Sequence, residues 1–359
     1  GEIKKAERLA NKRPGTFAWA LWDWAEQPYP TIIQTFIFAT YITSSAFGDP
    51  NANTQALSVA NIIAGILVAL IAPVFGRRSD ESGKRKFWLL INSGILIAIM
   101  VGCYFVAPTP EFLILGLVLY ALGSVVQESA FINYYAMLKQ VTTEHNIGKV
   151  SGLAWGLGYV GGILLLLFSL VGFYLPEVPW FGISTDNSEN IRVMFLFAAA
   201  WMFIFSIPLA ILVPELPAMV DRKKENLLGA YSALWVQIKQ LRAKSPDTLR
   251  FLIASAIYRD GLAGVFSYGA ILGSVAFGFS ATEVIFFGIA ANLVAGTGAA
   301  LGGLMENKLG TRNTIAGSLS GLLVAGSAVF LFANQGQITY WIGGLALCLF
   351  VGQIGRAHV

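Results

Sequence analysis

Gly76-Arg-Arg-Ser-Asp80-Glu-Ser-Gly83-Lys-Arg85-Lys86 and, 227 residues later, Gly303-Leu-Met-Glu-Asn307-Lys-Leu-Gly310-Thr-Arg312-Asn313 carry one pattern twice. Both place Gly, Asp or Asn, Gly and Arg at offsets of zero, four, seven and nine. One copy would be a basic loop of no special meaning. Two copies at matched spacing point to an internal duplication, the architecture of many carriers. The residue types suit a tight turn between helices. Glycine allows a positive φ and a close helix approach, and Asp80 can accept from helix-end N–H groups or pair with neighbouring basic side chains.

Long apolar stretches lie on either side of these turns. They are drawn at about 17–47, 55–75, 88–107, 111–137, 151–174, 191–213, 251–276, 282–305, 314–333 and 338–352, each near the ~20 residues a helix needs to cross hydrocarbon. With 56% hydrophobic and 12% charged residues and a mean hydropathy of +0.66, the chain cannot hide its apolar surface in a soluble globule. Continuous runs rather than alternating ten-residue segments exclude a barrel. The fold class is therefore all-α integral membrane, with the lipid bilayer as solvent.

Once the stretches are drawn, all but three of the 24 Lys and Arg residues fall on one side; the exceptions are Arg192, Arg259 and Arg356. Such a bias places the N-terminus in the cytoplasm, and a bacterial inner membrane is expected. The net charge of +4 is then topological, and no nucleic acid is expected as a partner. Cys103 and Cys348 sit in apolar runs as buried thiols, and His145 has no metal-ligand neighbour in the sequence. No metal and no cofactor are expected.

The loop pattern resembles the signature loop of the major facilitator superfamily, Gly-x-x-x-Asp-x-x-Gly-x-Arg-Lys. Further segments resemble its vacuole-effluxer branch, which is known for amino-acid export from the yeast vacuole. They are Ala18-Trp-Ala-Leu-Trp-Asp23-Trp-Ala, Ser151-Gly-Leu-Ala-Trp-Gly-Leu-Gly-Tyr-Val-Gly-Gly162, Tyr258-Arg-Asp260-Gly-Leu, and Asn292-Leu-Val-Ala-Gly through Gly303. Asn307 in place of an acid and Glu81 in place of a base depart from the pattern. The resemblance implies a major facilitator fold: a twelve-helix carrier of two pseudo-repeated six-helix bundles, working by alternating access as a monomer. About ten of the twelve helices are then present. The implied division is an N-terminal bundle at 1–213, a central cytoplasmic loop at 214–250 and an incomplete C-terminal bundle at 251–353. Within the central loop, Leu227, Tyr231, Leu234, Ile238 and Leu241 have amphipathic spacing, which suits a helix on the membrane surface or a soluble linker helix.

The residues 354–359, Ile354-Gly-Arg-Ala-His-Val359, read as translated sequencing adapter, since ATC GGA AGA GCA CAC GTC encodes them. They are expected to stand where natural sequence would continue, the alternative being a native ten-span protein with a short basic end. The chain also starts at Gly1 rather than Met, and a start further upstream is expected.

Five ionisable residues lie inside the stretches: Asp23, Glu26, Glu128, Arg259 and Asp260. Each costs about 2.5–3.5 kcal/mol at depth, so such groups face a bundle interior or an aqueous path and mark substrate or proton sites. Asp23 and Glu26 share a helix face, with Gln27 beside them. Pro28 and Pro30 leave backbone carbonyls without donors, as the broken helices of carriers do. Arg259 is expected to pair across the cavity with Asp23, Glu26 or Glu128, the alternative being a static structural pair. The Gly152, Gly156, Gly158 and Gly162 steps read first as close helix packing. Trp19, Trp22 and Trp24 line a cavity or pack.

An intramembrane enzyme would need a nucleophile and base or clustered metal ligands, and the stretches hold no such set. The expected function is secondary active transport of a small polar solute, amino acids among the candidates, with a proton or ion as co-substrate. The rival reading is a non-transporting receptor or scaffold built on a carrier fold. Counterflow in proteoliposomes separates the two.

Overall fold

In lipid each apolar stretch must satisfy its own backbone, and helices do so. The computed structural model describes residues 14–142, 147–215 and 227–356; within them, nothing is stated of the side chains at 14, 77–82, 139–140, 147–149, 151, 227, 255–256, 258–267, 299–300, 303–304, 306–307, 311 and 353–356. The expectations for His145, for the 357–359 end of the tail, and for the side chains of Asp80, Arg259, Asp260, Gly303 and Asn307 lie outside the described residues.

The α-helices run α1 Pro14–Glu26, α2 Phe38–Ile42, α3 Pro50–Ser82, α4 Arg85–Tyr104, α5 Leu113–Ala136, α6 Leu138–Val141 and α7 Ile147–Ser169. They continue with α8 Glu189–Leu212, α9 Leu227–Lys244, α10 Pro246–Val275, α11 Ala281–Leu309, α12 Thr311–Leu331 and α13 Gln337–Arg356. By length and composition seven spans can cross a membrane: Pro50–Gly76, Arg85–Tyr104, Pro110–Ala136, Gly152–Tyr174, Asp186–Leu212, Ala281–Gly298 and Arg312–Leu331. The shorter apolar helix Gln337–Gly352, α10 and a broken first segment stand at the other three expected stretches.

That first segment is not one helix. Pro28 and Pro30 have no N–H to give to the carbonyls four residues back, and Pro rings crowd that turn. α1 stops at Glu26, a π-helix covers Tyr29–Phe36, and α2 follows after Ile37, whose N–H bonds back five residues to the Ile32 carbonyl at 3.2 Å.

The repeated turns are built alike. α3 opens with Asp49 accepting from Ala52 N at 3.3 Å and Pro50 in the first turn, an N-cap followed by a residue needing no N–H. It ends at Gly83, with φ +66°, and α11 ends at Gly310, with φ +82°. Each is the second glycine of its copy, and a side chain there would be strained. Gly76 differs from expectation. It lies within α3, and a β-carbon there would meet nothing within 4 Å, so it makes no close helix approach. Arg85 caps the next helix end by donating Nη1 to the Ala136 carbonyl, 2.8 Å. Arg312 is exposed. Glu215 accepts from the N–H groups of Lys86 and Phe87 at 3.1 and 3.4 Å, a carboxylate at a helix N-terminus.

α1 packs between α7 and α8; α5 packs on α3 and α4, and α4 on α8. Later in the chain α13 packs on α11 and α12. The two groups meet where α7 crosses α11 and where α10 lies along the π-helix. The helix forms as α9 against α3 and α10, with Tyr231, Ile238 and Leu241 of the expected face half-buried, but Leu234 of that face is exposed, as are Leu228 and Trp235.

Candidate functional site

The helix break gathers the polar groups. Asp23 and Glu26 on the last turn of α1 are 8% and 2% exposed. Among the described residues neither has a cationic partner; the side chain of Arg259, the expected partner, lies outside them. Gln127 Nε2 donates to Glu26 Oε2 at 3.4 Å, tying α1 to α5 by a neutral amide. Glu128, next along α5, is exposed and lines a groove with Ile71, Ala72 and Phe75 of α3. Thus Asp23, Glu26 and Gln27 share one site, while Glu128 borders it from the α3 side.

Just past the carboxylates, three helices close on small residues. A β-carbon on Gly158 of α7 would stand 2.9 Å from Gln27 Nε2 and 3.5 Å from Asp23 Oδ1. One on Gly162 would stand 3.4 Å from Thr31 Oγ1, 3.5 Å from Asn292 Oδ1 of α11 and 3.6 Å from Gln27 Oε1. The Thr31 hydroxyl donates to Gln27 Oε1 at 2.9 Å, and Asn292 Nδ2 donates to the Gly288 carbonyl at 2.9 Å. Gly288 is itself a crossing point, since a β-carbon there would meet the Phe36 ring at 2.8 Å. Of the four expected glycines, Gly158 and Gly162 pack closely, whereas Gly152 and Gly156 face open space.

The tryptophans pack rather than line a cavity. Trp19 and Tyr134 stack at 4.2 Å and exchange hydrogen bonds: indole Nε1 to the Tyr134 carbonyl at 3.0 Å, and Tyr134 hydroxyl to the Trp19 carbonyl at 2.7 Å. Trp22 Nε1 donates to Ser93 at 3.1 Å. Trp24 stacks on Trp201, whose Nε1 donates to the Trp24 carbonyl at 2.9 Å. That carbonyl is the one Pro28 cannot serve, so the indole replaces the missing helix bond.

On other helices a second polar group bridges the halves. Asn61 of α3 donates to the Tyr268 hydroxyl of α10 at 2.7 Å. Nearby, Tyr29 donates to the Tyr120 carbonyl at 2.8 Å, Tyr120 to the Gln34 carbonyl at 3.2 Å, and Gln34 to Ser124 at 3.0 Å. These bonds hold the π-helix against α5.

A search for intramembrane charges misses Gln127, Thr31 and Asn292, because neutral amides and hydroxyls do not stand out from a polar-poor background. One signal existed: Gln27 and Thr31, like Gly288 and Asn292, are four apart and so share a helix face.

The family model described as "Vacuole effluxer Atg22 like" matches residues 11–345. The chain is 25% identical over 347 residues to the uncharacterised MFS-type transporter YxiO of Bacillus subtilis, covering 94% of this chain and 77% of that one. It is 22% identical over 261 residues to autophagy-related protein 22 of Kluyveromyces lactis, covering 67% of this chain and 51% of that one. Its fold matches the partially occluded inward-open xylose transporter XylE of E. coli with a TM-score of 0.63 at 15% identity, over 96% of this chain and 85% of that one.

Proposed function

The chain belongs to the Atg22-like vacuole-effluxer family of MFS-type transporters and has the major facilitator fold, and from that premise we propose that it is a secondary active carrier of a small polar solute in which the α1 carboxylates couple a proton to transport. The observation that carries the reading is the pair Asp23 and Glu26, sealed from solvent at the break of the first segment with no cation beside them among the described residues. A carboxylate kept there as an anion is expensive, and one that takes up a proton is not. Protonation therefore changes which arrangement of the surrounding helices is cheaper, and that is the requirement for coupling.

The solute is proposed to carry both charges, as an amino acid does. Its amine meets Asp23 or Glu128 and its carboxylate meets Arg259, with Asp260 beside it on the helix α10. The proposed division is 1–213 and 251–353 as the two rocking bundles, with 214–250 between them and the basic loops in the cytosol. On that orientation the Asn61–Tyr268 bond closes the outer end of the path, so the structure is read as closed to the outside.

The test is counterflow of labelled amino acids in proteoliposomes, followed by proton-driven uptake. Asp23→Asn and Glu26→Gln should each lower proton-driven uptake at least tenfold and flatten its pH profile while leaving the melting temperature within a few degrees. Full pH-dependent uptake in both variants would remove the carboxylates from the coupling role. Absence of counterflow for every solute tried with the intact protein would favour the receptor or scaffold reading.

A further inference from the structure

Three spans able to cross a membrane, Pro50–Gly76 in α3, Arg85–Tyr104 in α4 and Pro110–Ala136 ending in α5, do not close on one another evenly. α3 and α4 both pack on α5 and hardly on each other. A crevice of about 330 Å³ opens there, with Phe75 of α3, Trp88 and Ile95 of α4 and Val125 of α5 among its walls. Phe75, Trp88 and Ile95 are exposed, so the crevice is open along its lip. Its polar groups serve one another: Asn92 Nδ2 donates to Ser129 Oγ at 3.0 Å, and Asn133 Nδ2 to the Ser129 carbonyl at 3.0 Å. A cavity of this size, with apolar walls and a few fixed polar groups, is the usual form of a ligand site. Water gains little on such walls and a void forfeits their contacts, so an apolar occupant is favoured.

The place of the crevice says which apolar molecule reaches it. Trp88 stands one turn inside the first residue of α4, and from Trp88 to Ile95 is about 10 Å along the helix. The crevice is thus a slot at acyl-chain depth beside a helix end. Trp88 at its mouth is a residue type that gathers at the membrane interface. The turn just outside is basic: from Arg77 to Lys86 the sequence has five bases against two acids. Lys84 is exposed and Lys86 half-buried, while Arg85 holds the Ala136 carbonyl. Glu215 accepts from the N–H groups of Lys86 and Phe87, and Glu128 opens into the neighbouring groove, so neither acid lines the crevice. Basic groups between membrane helices at their cytosolic ends hold anionic lipid headgroups.

We propose that this crevice seats one acyl chain of an anionic phospholipid whose phosphate rests at the basic turn, by Lys84 and Lys86. The chain takes the place that direct packing of α3 on α4 would have, so it steadies the pair where the signature turn joins them. Its position in the inner leaflet follows the proposed orientation; its binding depends neither on that orientation nor on transport.

The test is thermal stability of the purified full chain, stripped of lipid in detergent and titrated with defined lipids. Phosphatidylglycerol should raise the melting temperature with saturation, and phosphatidylcholine should need at least tenfold more. Lysophosphatidylglycerol should suffice, since it brings one chain, and glycerol phosphate, the anion without a chain, should do nothing. Ile95→Trp from the lip and Val125→Phe from the floor fill the slot and should each remove the phosphatidylglycerol response. Ile114→Trp, exposed on α5 about 16 Å along the helix from Val125, should keep it. Lys84→Gln with Lys86→Gln should abolish the preference for phosphatidylglycerol over phosphatidylcholine. Native mass spectra of the intact protein should retain one phosphatidylglycerol under stripping that removes phosphatidylcholine. Equal responses to the two lipids, or equal retention, would mean that only detergent, water or bulk lipid fills the crevice and would overturn the proposal. So would a full response in both filling variants, or a loss of response in Ile114→Trp as well.

Discussion

The first apolar segment and α10 occupy comparable places after the repeat is laid out, yet they are built differently. The first is three helical pieces between Pro14 and Ile42, and α10 is one unbroken helix of 30 residues. Carried forward by the 227 residues that separate the two signature turns, Pro28 and Pro30 fall on Ser255 and Ile257, and Asp23 and Glu26 fall on Arg250 and Ile253. The turns at Gly83 and Gly310 are thus alike in the two copies, while the helix break of the first segment has no counterpart in α10. Turns are fixed by backbone geometry that any copy needs. A break is tolerated only where neighbouring side chains serve the abandoned carbonyls, and Trp201 does so for α1.

The comparison is most sharply broken by forcing α10 to resemble α1. Ile257→Pro removes a helix bond and crowds the preceding turn in a helix whose residue 257 is 69% exposed, so little packing changes. It should cost about 3 kcal/mol or more, visible as a melting temperature lowered by several degrees in detergent. A near-neutral effect would mean that α10 already bends there.

A smaller effect tests the substitute donor. Trp201→Phe keeps the stack on Trp24 but leaves its carbonyl unserved, at a cost of about 1–3 kcal/mol. Pro28→Ala restores an N–H for the same carbonyl, so in the double variant the Trp201→Phe loss should shrink by most of its value. Additive losses in a double-mutant cycle would show that the indole is not standing in for the helix bond.

The smallest expected effect concerns the part that repeats. Gly83→Ala and Gly310→Ala each place a methyl at positive φ and should destabilise by about 1 kcal/mol apiece, similarly to one another. A wide disparity in melting temperature would show that the two turns bear unequal loads despite their shared pattern.

Much of this was legible before any coordinates, for physical reasons. Hydropathy marked where lipid must be met, and the duplicated Gly, Asp or Asn, Gly, Arg spacing marked where helices must turn. Pro28 and Pro30 announced the break, although not that Tyr29–Phe36 would wind as a π-helix. Helix ends ran past the apolar cores, as at Pro50 and Ser82 of α3, because hydropathy records the lipid and caps record the helix. Asp23 and Glu26 stand out in the sequence by their cost in a membrane, and Gln27 by its place beside them. Gln127 and Asn292 were not, since an amide's importance there lies in which atoms it faces across a helix crossing, and a one-dimensional pattern does not contain that. The close approach expected at Gly76 failed for the same reason: a glycine states what is permitted, and only the neighbour decides what is used.

The Trp19–Tyr134 exchange has a mechanical consequence. Each ring is bolted to the other's main chain, so the inner arm of the first segment can neither slide nor twist against α5. Beyond the prolines the Tyr29, Tyr120 and Gln34 bonds pin the π-helix to the same α5. Both arms of the first segment are thus yoked to one neighbour, so the segment and α5 travel as a unit, with the carboxylates at the elbow between the two clamps.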